Sequence, residues 1–133
     1  MAKKLPPETF FLDIDGTVLK HQGNNSNVLL RASTSVRDIV NGPGEELLPG
    51  VKEKLDEWHS RGCKVFFTTG RPECMREFTE DQLARFGITY TGLIMDAGCG
   101  VRVLVNDLKP SHKGKTAKAV NVERNVGLGG VKI

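Results

Sequence analysis

Two aspartates set one residue apart, Asp13 and Asp15, close an apolar run in "ETFFLDIDGTVL", Glu8 to Leu19. On a strand, residues i and i+2 point to the same face, so the two carboxylates would lie side by side and repel. Ile14 between them continues the apolar run, and Gly-Thr follows at once. A third acidic position, Asn106-Asp107, closes another apolar run, "VRVLV". Thr69 follows a third, "KVFFT". Each polar group stands where an apolar run stops. In an open parallel sheet, the crevice beyond the carboxyl ends of the strands is where ligands bind. Carboxylates meeting there make a hard, oxygen-rich site suited to Mg²⁺, which takes few protein ligands and keeps water and substrate phosphate. Beside such a cation Asp13 can attack phosphorus, forming an aspartyl-phosphate, and Asp15 can move the proton.

The elements that must position these groups alternate along the chain. Thr9 to Ile14 reads as a buried strand. Leu48-Pro49-Gly50 opens a helix with Val51, Leu55 and Trp58 on one face and Gly62 as its stop. Lys64 to Thr68 is a second strand. Pro72 starts a second helix, with Met75, Phe78, Gln82, Leu83 and Phe86 inward and Gly87 at its end. Thr91 to Met95 is a third strand and Val101 to Val105 a fourth. Lys115 to Arg124 reads as a last helix of poor pattern, and "NVGLGGVKI" as loop or frayed strand. Strands alternating with helices predict an α/β fold, a Rossmann-like three-layer sandwich with a central, mainly parallel sheet.

This is where the chain resembles a known family. "FFLDIDGTVL", "VFFTTGRP" and "VLVNDLKP" resemble, in order, the first, second and fourth motifs of the haloacid dehalogenase-like (HAD) phosphohydrolases. The resemblance implies that Asp13 is the nucleophile and a metal ligand, and that Asp15 is the acid/base and contributes its backbone carbonyl to the metal. Thr69 would bind the transferring phosphoryl group, and Asp107 would be the remaining carboxylate ligand, with Asn106 standing where many members have a second acid. Asp15 points to a phosphatase or phosphomutase. The third-motif cation is not evident; Arg102 is the first choice, Lys109 and Arg71 the alternatives. Gly16, Thr17, Gly70, Arg71 and Lys109 are expected to border the substrate.

The 133 residues suffice for one domain, 1–133. Residues 21–49 are rich in Asn, Ser and Gly and leave room for a flap but no large cap, so the chain resembles the capless branch of the family. Members of that branch oligomerise to close the site or act on large substrates, and a homo-oligomer acting on a small sugar or sugar-acid phosphate is the first expectation. Up to Asp107 the chain has 13 Lys/Arg against 15 Asp/Glu, and beyond it 6 against 1. That basic segment, 111–133, reads as solvated and keeps a nucleic-acid phosphate end as an alternative substrate. A non-catalytic binding module is the rival of another class. No apolar run is long enough for a signal peptide or a membrane span. Three scattered cysteines, Cys63, Cys74 and Cys99, fit a reduced, cytoplasmic protein. The "GKT" at Gly114 and the "GCG" at Gly98 lack the glycines that a phosphate loop or dinucleotide fingerprint needs.

Overall fold

A computed structural model of the chain describes residues 5–21 and 46–133. The expected flap, 21–49, falls almost wholly outside the described residues.

Three strands form one parallel sheet: β1 Thr9–Asp13, β2 Lys64–Thr68 and β3 Gly92–Ile94, in that spatial order. Helix α1, Val51–Ser60, lies between β1 and β2 in sequence. A 3₁₀ turn, Glu73–Met75, runs into α2, Arg76–Arg85, before β3. Two successive right-handed crossovers that step in the same direction put their helices on the same side of the sheet. The core shows this. Phe10, Leu12, Val65 and Phe67 on one sheet face meet Val51, Leu55 and Trp58 of α1 and Leu83 of α2. Phe10 stacks on Trp58 with ring centroids 3.9 Å apart. On the opposite face Phe11 stacks against Phe66, and both Phe11 and Ile94 are exposed.

The pairing register sets Asp13 opposite Thr68 and Thr68 opposite Ile94, so the three strands finish level with one another. The ladder continues beyond the strands. Thr69 N donates to Ile94 O, Ala97 N to Thr69 O and Asp96 N to Arg71 O. The chain between β2 and α2 is therefore tied to the chain after β3.

Three expectations are corrected. Val101 to Val105 forms no strand; it has no regular secondary structure and is exposed. Only residues 95–100 separate it from β3, whereas a parallel neighbour in the same sheet needs a crossover of about a dozen residues or more. Lys115 to Arg124 is not helical, in keeping with its β-branched Val120 and Val122 and its lack of an apolar stripe. The C-terminal stretch 125–133 is loop, one of the two forms expected for it, but it is packed rather than frayed or solvated. Leu128 and Val131 are buried in the main core, Leu128 N donates to Pro49 O, and Arg61 donates to the carbonyl of Ile133. Gly127 makes this docking possible. Its φ is +92°, and a Cβ there would stand 2.1 Å from Pro49 O, so no side chain fits.

If residues 122–133 belong to the core, Leu128→Ala should lower stability by about 2–5 kcal/mol, read from the urea midpoint. Lys132→Ala, at an exposed position beside it, should stay within about 0.5 kcal/mol.

Candidate active site

The first strand delivers Asp13 to the carboxyl edge of the sheet, and the chain then folds tightly on itself. Ile14 O accepts from the amides of Thr17, Val18 and Leu19, and Gly16 N donates to Leu19 O at 2.7 Å. Ile14 and Val18 are fully buried, which anchors this loop from below. Asn125 braces it from the C-terminal segment: its amide donates to Gly16 O at 2.8 Å, and its Oδ1 accepts from His21 N at 2.6 Å. Asp13 and Asp15 are thus held at the mouth of the sheet with Thr17 beside them, its hydroxyl 3.4 Å from Asp13 Oδ2.

Arg71 is the centre of the site. Its Nε and Nη2 donate to the two oxygens of Asp15 at 2.9 and 2.7 Å. Its Nη1 donates to Thr79 Oγ1 at 3.0 Å and to Gln82 Oε1 at 2.8 Å. The guanidinium lies 5.8 Å from the centre of the Phe78 ring. Arg71 is buried, whereas the Asp15 side chain keeps about a third of its surface open. A planar fork with every arm satisfied fixes the carboxylate in direction as well as charge. Each Asp15 oxygen still has a second lone pair for a ligand.

The loop that carries Arg71 is itself held closely. Thr69 is buried and its Oγ1 accepts from Arg71 N at 3.1 Å. Gly70 sits against the next loop, where a Cβ would come within 2.9 Å of Gly98 O. Any larger residue at 70 would push apart the two loops that border Asp13.

Asp13 is open to solvent at the crevice mouth, but the atoms packed around its carboxyl strip water from it. That desolvation raises its pKa above the ordinary 3.8; the amide of Ile14 works against the rise, Asp15 adds to it, and the Arg102 charge and the Thr17 hydroxyl again oppose it. The charge of Arg102 therefore acts on Asp13, while its Nη1 is bonded to Gly100 O. Lys109 does not face this site: it pairs with Asp107 on an exposed segment. Asn106 donates to Thr116 O at 3.3 Å, and the Thr116 hydroxyl bonds to Asp107 O.

The structure thus brings together Asp13, Asp15, Gly16, Thr17, Thr69, Gly70 and Arg71, with Arg102 nearby. It leaves Asn106, Asp107 and Lys109 apart from them. Among the described residues no group of three or more acidic, His or Cys side chains gathers as a metal cluster. The ligands that the family resemblance implies at this edge, the Asp13 carboxylate and the main-chain carbonyl of Asp15, are of the kind that suits Mg²⁺, which is often held by one or two carboxylates and completed by phosphate and water. The rise in the Asp13 pKa comes first from loss of water around its carboxyl, and a cation bound there would oppose it. Thr79, Gln82 and Asn125 were not singled out as functional from the sequence. Thr79 and Gln82 carried a signal, two polar residues at i and i+3 on the inner face of α2.

A parallel α/β sheet with a carboxylate pair at its carboxyl edge defines a Rossmann-like hydrolase domain. The family model for the HAD superfamily, subfamily IIIB (acid phosphatase), matches residues 1–126, and the chain belongs to that family as a domain without a large cap. Among solved structures it is similar to a chain in the structure of a Pnkp1/Rnl/Hen1 complex, with 27% identity, a TM-score of 0.51 and 73% of this chain covered. The match spans 30% of the length of that chain. No curated protein matches the sequence. Among the described residues no helix is long and apolar enough to cross a membrane.

The environment of Asp13 has a consequence for stability. An acid whose folded-state pKa is raised binds its proton more tightly folded than unfolded. The folded state is then most favoured below the ordinary value of 3.8 and loses that advantage as pH rises through the raised value. With divalent cations chelated, Asp13→Asn should be more stable than wild type at neutral pH. The difference should vanish on acidification below the ordinary value, in paired urea titrations across pH.

Proposed function

We propose that this chain hydrolyses phosphomonoesters through an aspartyl-phosphate on Asp13. The observation that carries the reading is the Asp13–Asp15 pair at the carboxyl edge of the sheet, with Asp15 clamped by a buried arginine. One Asp13 oxygen attacks phosphorus as the bond to the leaving oxygen breaks, and Asp15 gives that oxygen its proton. Asp15 then takes a proton from the water that attacks the phosphoryl group. Asp13 is released, and the products are an alcohol and inorganic phosphate.

Arg71 keeps Asp15 aimed at the leaving group and water throughout. The Thr69 hydroxyl, whose oxygen accepts from Arg71 N, would give its proton to a phosphoryl oxygen, and Gly16, Thr17 and Gly70 would border that group. Arg102 supplies positive charge next to Asp13, where negative charge accumulates. Mg²⁺, held by Asp13 and the Asp15 carbonyl, would neutralise phosphate charge so that one anion can approach another.

The proposed substrate is a small sugar or sugar-acid phosphate. A second reading, a nucleic-acid phosphate end, is favoured by Lys109, Lys113, Lys115 and Lys118, all exposed on one segment. Binding that weakens steeply with salt for a phosphorylated oligonucleotide, and not for a sugar phosphate, would favour this second reading.

Wild type should release phosphate from an aryl phosphate with Mg²⁺ and stop with chelator, and Asp13→Asn should abolish turnover. Metal-independent release, or an active Asp13→Asn, would refute the proposal. The role of Asp15 has its own signature. Asp15→Asn should slow the transfer of phosphate from an alkyl phosphate to Asp13 by about 10²–10⁴-fold and from a nitrophenyl phosphate far less, read as the first-turnover burst, because nitrophenolate leaves without a proton, whereas hydrolysis of the aspartyl-phosphate should slow equally for both.

A further inference from the structure

The segment after β3 has the composition of an inner strand and the exposure of a tail. Val101, Val103, Leu104, Val105 and Leu108 are 60–93% exposed. Apolar residues at both parities are the pattern of a strand covered on its two faces. Five such side chains exposed in one run amount to an area on the order of 600 Å², the upper limit for the largest apolar patch of an ordinary monomer.

The segment is the outgoing limb of an arm. Asn106 and Asp107 bond across to Thr116 on the returning limb. Both feet of the arm stand at the carboxyl edge of the sheet, where Gly98 packs on Gly70 and Asn125 bonds to Gly16.

The sheet offers a matching vacancy. Among the described residues β1 pairs only with β2 and none ladders on its other edge, and Phe11 of β1 is 52% exposed. The arm leaves its own sheet at the carboxyl edge. It cannot run parallel to its own β1, because residues 95–100 are too short to return to the amino edge as a crossover. It can run parallel to β1 of a copy turned end over end, whose amino edge then lies where the arm begins. A two-fold axis across the strands satisfies this for both copies at once.

We infer that Val101–Asp107 is a strand that each copy of this chain donates to the free edge of β1 in a second copy, bringing Asp107 to the carboxyl edge beside the other copy's Asp13. β1 and the donated strand both end in an aspartate, so parallel pairing sets the two acids side by side. Two exchanged arms bury about 1,200 Å² from their apolar side chains alone, which enters the range of a stable specific interface. The inference rests on the proposed role of Asp13 for its meaning, since the exchange would make each site a joint product of two chains.

The test uses the full chain and two readouts. The wild-type mass in solution should be that of a dimer or a multiple of it, and Val103→Asp, a change at an exposed position that leaves the single-chain core intact, should give monomers. Asp13→Asn and Asp107→Asn should each be inactive on an aryl phosphate with Mg²⁺. Unfolding and refolding the two variants together should restore about a quarter of wild-type activity, because half the sites in each mixed dimer are intact. A monomeric wild type, a fully active Asp107→Asn, or a mixture no more active than its parts would overturn the exchange. An active Asp13→Asn would instead overturn the proposed chemistry and leave the mass result to decide the exchange.

Discussion

The bidentate pair between Arg71 and Asp15 is the interaction on which the site depends. It joins the loop after β1 to the loop after β2, and through Thr79 and Gln82 it joins both to α2. A buried guanidinium is tolerated only when it is hydrogen-bonded and paired, and here four hydrogen bonds engage all three of its nitrogens. Removing Asp15 would leave the buried guanidinium without its anion, at a cost of about 3–5 kcal/mol. The same bonds that make the arrangement costly to break hold Asp15 in a single direction. Stability and, on the proposed mechanism, the aim of the proton-transfer group are therefore set by one contact.

Around that contact the geometry follows from parallel pairing. Level strand ends put Asp13, Thr69 and the 94–97 segment in one plane, and the helices on one face leave the loops at the carboxyl edge clear. Asp13 has no arginine fork of its own. It is crowded by protein and faces Asp15, which is why its proton is held more tightly than usual. The contrast between the two acids is the useful one for the proposed chemistry: one is fixed and neutralised, the other is poised for a cation and an electrophile.

Much of this was legible in the chain. The three apolar runs ending in Asp13, Thr69 and Met95 became three parallel strands, and the stops at Gly62 and Gly87 fell at the ends of the helices. What was not legible depended on distance and on partners. Arg71 reads as a substrate-binding cation because nothing in a linear sequence shows that Asp15 will occupy its fork. The C-terminal "NVGLGGVKI" reads as loose because its glycines signal turns, yet Gly127 lets Leu128 reach the core past Pro49. "VRVLV" reads as a fourth strand from its composition, and the short link of residues 95–100 is what keeps it from joining its own sheet. Its apolar pattern records the need for a partner without saying which chain supplies it.

The central claim is that phosphate passes through Asp13. The most direct measurement is the stereochemical course at phosphorus, using a phosphomonoester made chiral with oxygen isotopes and hydrolysed in isotopic water. Two successive displacements, onto Asp13 and then onto water, predict net retention of configuration. Net inversion would mean that water attacks the substrate directly, and the aspartyl-phosphate account would be wrong.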